Sequence, residues 1–296
     1  MRSAPSKNYR AHHGRVVLVC MASLHLSLLP LLLPAAAVRG DPGILAGHAL
    51  GSDVANSTTV LEPTVCAVVP SVPAHWRLLP RALLSLREQT RPPDQIVVVS
   101  SHVKPHQCNV LHKRLSHGEL IVCSSETGWT RGANRNRGAS ACGNATFVTF
   151  LDADDVMHPA GIARMLSLLD EHHADLGLHS YVPFTDQQPR WPARAPFVVT
   201  PPSVYAAIAR TADSERRGDA RFDHPSWKTT GPVHYGHATV RAEVMNSIRQ
   251  RKDKKVGEDK AFAMSTILAG WRTVYTSEAL TGYRKGTSVQ NPRGVK

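Results

Sequence analysis

The chain has 296 residues, 42% hydrophobic and 20% charged, which is enough apolar material for one large domain or two small ones and excludes a disordered or fibrous class. Thirty-five Lys plus Arg stand against 23 Asp plus Glu, a formal charge of +12 that admits nucleic acid, anionic lipid or a phosphorylated small molecule as partner. The dense basic runs are Arg131 to Arg137 and Arg249 to Lys255; neither carries an interleaved aromatic residue to stack bases on, so nucleic acid is not the expected partner.

In chain order, residues 1–15 hold Arg2, Lys7, Arg10 and Arg15 and no acid, and residues 16–38 are apolar apart from Ser23, His25 and Ser27. About 20 such residues span a bilayer. The expected element is a signal anchor whose basic flank stays cytosolic; the alternative is a signal peptide cleaved near Ala35 to Ala37. The first makes a single-pass type II protein of the Golgi or endoplasmic reticulum, the second a lumenal or secreted one. Residues 39–62, without sustained periodicity, read as a stem. Five cysteines (Cys20, Cys66, Cys108, Cys123 and Cys142) suit an oxidising compartment; Cys108 and Cys123 can pair, but spacing leaves connectivity open. Asn56-Ser57-Thr58 is a glycosylation sequon in this polar stretch.

From residue 63 a strand and helix alternation is expected. "CAVVP" (66–70), "IVVV" (96–99), "LIV" (120–122) and "TFVTFL" (146–151) read as buried strands. Leu79, Ala82, Leu83 and Leu86 fall on one helical face, as do Ile162, Met165, Leu166 and Leu169 after Pro159. Strands apolar on both faces and separated by helices predict an α/β, Rossmann-like domain with a mostly parallel central sheet over residues 63–296. Eight prolines from Pro183 to Pro232, with Trp191 and Trp227 among them, predict a loop-rich cover over 185–232; both tryptophans are candidate sugar-stacking residues. "HATVRAEVM" (237–245), a helix near 258–269 and a strand pair around "RTVYT" and "LTGYR" complete the pattern.

Ligands of such sheets bind beyond the carboxyl ends of the strands, which puts Asp152, Asp154 and Asp155 of "TFVTFLDADD" at a crevice. Carboxylates so crowded repel one another unless a cation or several donors sit among them. Asp152 and Asp154 are the candidate ligands of a hard divalent cation, Mn²⁺ or Mg²⁺, and Asp155 is expected to cap a helix beginning near 158. "GANRNRGASAC" (132–142) supplies arginines at a helix start, and Glu258 and Asp259 follow Gly257 at another.

The ordered set "CAVVPSVPAHWRLLPRALLSLREQT", "QIVVVSS", "GANRNRGASAC", "FVTFLDADD", "GED" and "YRKGTSV" resembles glycosyltransferase family 2 on the GT-A nucleotide-diphospho-sugar transferase fold, over roughly residues 63–290. The resemblance implies an inverting transfer of a sugar from a UDP- or GDP-sugar donor to a hydroxyl of a glycan, protein or lipid acceptor. It places Pro70 and Ser71 at the base and ribose, Arg135 and Asn136 on the nucleotide side, Asp152 at ribose or metal, and Asp154 on a divalent ion bridging the diphosphate. Asp259 becomes the general base with Glu258 assisting or positioning it, and Arg284 and Lys285 approach the phosphates. The chain departs from the family in having Ser100 and Ser101 where an acidic pair is common, and in lacking a histidine in "GYRKGTS"; His234 or His237 can substitute. Two rivals stay open: a sugar nucleotidyltransferase, which would carry a glycine-rich basic loop where this chain has "VPSVPAHW", and a catalytically silent binding protein of the same fold.

Overall fold

The structure is a computed structural model and describes residues 62–115, 118–126, 130–185, 187–193, 197–207, 233–252 and 257–286. The apolar run 16–38, the stem, Asn56, Trp227 and much of the expected cover lie outside these residues; among the described residues no helix is long and apolar enough to cross a membrane.

The first half follows the alternation read from sequence. β1 (Val65–Ser71) leads through a 3₁₀ turn (Pro73–His75) into α1 (Leu79–Arg87), whose buried residues are Leu79, Ala82, Leu83 and Leu86. β2 (Gln95–Ser100), α2 (Pro105–Arg114), β3 (Leu120–Cys123), α3 (Arg131–Ala141) and β4 (Phe147–Phe150) follow. These four strands run parallel in the order β3-β2-β1-β4. Every residue of β1 is buried because α1 packs on one side and α3 on the other, as a parallel strand requires. Gly138 permits the α3 contact: a Cβ there would lie 2.2 Å from Val68 Cγ1. Disulfides Cys108–Cys123 and Cys66–Cys142 tie α2 to β3 and the end of α3 to β1.

The second half departs from expectation. β5 (Val156–Met157) comes before α4 (Gly161–Glu171), so the helix starts three residues beyond the expected point and Asp155 cannot cap it. β6 (Leu176–Phe184), β7 (Val199–Thr200), β8 (Thr239–Arg241), α5 (Ala242–Ser247), α6 (Glu258–Leu268) and β9 (Thr273–Arg284) complete the order. The expected closing strand pair is one twelve-residue strand, β9, that pairs parallel with β6 through a register shift near Ser180. β8 lies antiparallel between β4 and β6, and β5 and β7 are antiparallel to β9. The sheet is therefore mixed rather than mostly parallel. Short antiparallel pieces have few residues of their own to show a period, so local pattern could not reveal their direction.

Candidate active site

The strands of the parallel half end on a cavity of about 350 Å³, within the range of small-molecule sites. Its wall includes Pro70 and Ser71 from the end of β1, Ser101 after β2, Arg131 and Asn134 on α3, Asp152 and Asp154 after β4, and Tyr283 on β9. Of the serines that stand where the family's acidic pair is common, Ser101 belongs to this wall and its Oγ accepts from Asn134 Nδ2 at 3.0 Å, while Ser100 is fully buried and its Oγ accepts from Trp76 Nε1 at 3.0 Å. Asn134, His75 and Tyr283 were not picked out from sequence. Asn134 had a signal, since helical spacing from Arg131 puts residue 134 rather than 136 on the same face.

Asp152 sits at the end of β4 with its backbone N–H donating to His237 Nε2 at 3.2 Å, while its Oδ1 accepts from Arg135 Nη2 at 2.6 Å. Burial pushes the Asp152 carboxyl up, but the charges of Arg135 and then Arg131 outweigh it, so the group lies below the usual carboxylate range. Asp154 lines the cavity with its side chain 13% exposed and Oδ2 4.0 Å from His75 Nε2.

Arg135 and Asn136, expected on the nucleotide side, are directed into the protein. Arg135 is fully buried and bridges Asp152 and Glu258, whose Oε1 lies 3.3 Å from Nη1 and 3.0 Å from Arg131 Nε. Asn136 holds the segment after α5, donating to Gln250 O at 2.8 Å and accepting from Gln250 N at 2.9 Å. Glu258 is fully buried and so can support a base but not meet an acceptor itself. Asp259 is half-buried, one residue further round α6, with Oδ1 accepting from Lys260 N at 2.7 Å. A Cβ at Gly236 would stand 2.9 Å from Arg135 Nη2 and 3.2 Å from Asp259 Oδ2, so glycine there lets the Arg135 network and Asp259 approach.

Arg284 is buried and turned onto the aspartate loop: its N–H donates to Asp155 Oδ1 at 2.6 Å, its Nε to Asp154 O at 3.2 Å, and its guanidinium packs over the Phe184 ring. Lys285 is exposed. Trp191 stands edge-on to His158 at 4.9 Å and borders a separate hollow with Arg81 and Met157, away from the nucleotide-side wall.

Asp155 is the principal correction at this site. It is 1% exposed, and its Oδ2 lies 3.1 Å from His237 Nε2 and 4.0 Å from His234 Nε2. The two imidazoles stack at 3.6 Å, and one ligand atom from each of the three residues falls within 4.8 Å of the others. His237 Nδ1 pairs with Thr281 Oγ1 at 3.0 Å, while buried Asp155 Oδ2 and His234 Nδ1 have no hydrogen-bond partner. Burial and the neighbouring Asp154 and Asp152 charges push the Asp155 carboxyl well up; burial pushes His234 down to about 4 and, with repulsion from His234 and His179, His237 well below its usual value. From sequence Asp155 is expected to cap a helix and His234 or His237 to substitute for the family's histidine; the pairings of β8 and β9 bring all three together.

The sequence profile of glycosyl transferase family 2 matches residues 66–257, more than half of the chain. The chain belongs to glycosyl transferase family 2. Among solved structures it is similar to S. aureus TarS 1-349, with a TM-score of 0.54 and 19% identity over 75% of this chain and 60% of that one. Its UDP complex (TM-score 0.54, 20% identity, 75% and 60% covered) and its UDP-GlcNAc complex (0.54, 19%, 75% and 58%) are similar to the same degree. The chain thus spans less than two thirds of TarS 1-349, and the likeness is one of fold. No curated protein matches the chain.

Proposed function

We propose that the protein is a glycosyltransferase that passes a sugar from a nucleoside-diphosphate sugar to an acceptor hydroxyl with inversion at the anomeric carbon. The observation that carries this reading is the strand-end cavity in which Asp152 and Asp154 face Pro70, Ser71 and Asn134, in a chain of this family. The UDP and UDP-GlcNAc complexes of the structurally similar TarS support a donor of that class.

In this reading Pro70, Ser71 and Asn134 take the base and ribose side and Asp152 takes the ribose. Arg135 holds the Asp152 carboxylate ionised and aimed. The donor set also fits a divalent ion: Asp154 lines the cavity, and Asp155, His234 and His237 form a neighbouring oxygen and nitrogen cluster in which the buried Asp155 Oδ2 has no hydrogen-bond partner. A Mn²⁺ or Mg²⁺ held by Asp154, with Asp152, Asp155, His234 and His237 as the other candidate ligands, would neutralise the charge that builds on the departing diphosphate. Arg284 fixes the Asp154 backbone, and the exposed Lys285, with Arg131 of the cavity wall, is a cation assigned to the phosphates. Asp259, supported through the Arg135 and Glu258 network, accepts the acceptor hydroxyl proton as that oxygen bonds to the anomeric carbon and the bond to the diphosphate breaks. The N-terminal segment carries this domain into the secretory pathway as a type II anchor, a reading with which two disulfides agree.

The test is incubation of the purified chain with a panel of UDP- and GDP-sugars and Mn²⁺, following nucleoside diphosphate release. Neither turnover nor nucleotide binding with any donor would overturn the enzyme reading. In Asp259→Asn, transfer should fall by about 10²–10⁴ with donor binding kept, the usual span for general-base loss. An active variant would reassign the base. Protease protection in sealed microsomes tests the anchor, which requires residues 39–296 to be shielded.

A further inference from the structure

The two dense basic runs noted in the sequence meet in the fold. Arg137 on α3, with Arg249 and Lys252 after α5, line one cleft of about 580 Å³ on the side of α3 away from the strand-end cavity. Among the described residues of the wall Arg137, Arg249 and Lys252 are basic and Glu126 is acidic.

The cationic side chains of the cleft are exposed, but the backbone that carries them is fixed. The Asn136 amide makes its two bonds to the Gln250 backbone from a buried position (6% exposed), fixing the residues on either side. Thr130 Oγ1 donates to Lys252 O at 3.2 Å, and Arg249 Nη1 donates to Ser140 Oγ at 3.2 Å across the cleft. A Cβ at Gly132 would stand 2.6 Å from Arg251 O, so this close seating of the segment on α3 depends on glycine. The volume is that of a small-molecule site, too large for a single ion, and among the described residues the wall holds no aromatic or large aliphatic side chain. Among the described residues nucleic-acid bases would find no stacking partner in this wall, and a bilayer would meet a polar hollow rather than an apolar wedge.

We propose that this cleft is a second binding site, for a sugar-sized molecule carrying several sulfate or phosphate esters, separate from the donor cavity. Occupancy is also placed to reach that cavity. Gln250 Oε1 lies 3.5 Å from Arg135 Nη1, and Arg135 holds Asp152 and Glu258. A ligand that pulls the 249–252 segment onto α3 therefore bears on the carboxylates across the helix.

The experiment titrates the full-length chain in nonionic detergent, by calorimetry, with sucrose octasulfate as probe and unsulfated sucrose as control. Three proteins are compared: wild type, Arg249→Glu/Lys252→Glu and Asp154→Asn, each confirmed folded by its thermal transition. The octasulfate should bind wild type and Asp154→Asn alike, weaken as salt rises, and bind the double charge reversal at least about tenfold more weakly. Loss in Asp154→Asn with retention in the double variant would put the anion in the donor cavity and overturn the proposal. Equal loss in both would overturn the separation of the sites. No binding by wild type, or sedimentation with phosphatidylserine vesicles in place of octasulfate binding, would also overturn it.

Discussion

The two halves of the sheet solve different problems. Strands β1 to β4 are parallel, apolar on both faces, and end on a wall of prolines, serines and an asparagine; strands β5, β6, β8 and β9 are mixed in direction and gather Asp155, His179, His237 and Arg284 into the interior, with His234 half-buried against them. The first half gives a cavity its shape by burying hydrophobic surface, and the second surrounds the carboxylates of "DADD" with polar groups that are costly to bury alone. Arg135 joins the halves, reaching Asp152 at the end of β4 and Glu258 at the start of α6. Packing defects are therefore graded in the parallel half, whereas charge defects at the junction are abrupt.

The sharpest way to break that contrast is Arg135→Met. It keeps length and apolar stem but leaves Asp152 and Glu258 without their shared cation, and urea denaturation should report a loss of about 3–5 kcal/mol, as for other buried pairs robbed of one partner. A loss below about 1 kcal/mol would mean the junction is solvated and the contrast false.

Acid should expose the mixed half next. His234, pushed down to about 4, is neutral in the folded protein where an unfolded imidazole would protonate near 6.5. Unfolding therefore takes up protons between these values, so this stability is complete above pH 6.5 and falls as pH drops toward 4, by about 3 kcal/mol. His237 is shifted in the same direction; Asp155, whose carboxyl is raised, contributes with the opposite sign and loses its share as pH rises. Denaturation midpoints in EDTA from pH 7 to 4 should fall steeply in wild type and less so in His234→Phe, which keeps a ring against His237 and Tyr181. Parallel curves would refute the assignment.

In the parallel half, Gly138→Ala drives a methyl into Val68 and should cost about 1–3 kcal/mol, the usual range for overpacking, with no change in the pH profile. A pH-dependent penalty would mean that the halves are not separable. The smallest effect belongs to Gly257→Ala before α6. Here φ is +75° and nothing lies within 4 Å of the added carbon, so about 1–2 kcal/mol of pure backbone strain is expected from the thermal midpoint.

Much of the parallel half was legible because its signal is local. Leu79, Ala82, Leu83 and Leu86 face one way on α1, and the four apolar runs form strands close to where they were expected. The family motifs were legible as ordered residue types, which brought Pro70, Ser71, Asp152 and Asp154 to one cavity. Side-chain direction was less so. Arg135 and Asn136 read as ligands in a glycine-flanked helix start, yet burial turns one onto two carboxylates and the other onto the Gln250 backbone. Asp155 looked like a helix cap because the two-residue strand β5 has too little length to show a period.

The sequence by itself determined the α/β class, the burial of β1, the helical face of α1 and the family, since each depends on neighbours a few residues apart or on residue types in order. Only the tertiary structure decided which carboxylates are exposed, that Asp155 meets His234 and His237, and that basic runs more than a hundred residues apart share one cleft. Those outcomes depend on pairings such as β4 with β8 and β5 with β9, whose long-range partners leave no period in the chain.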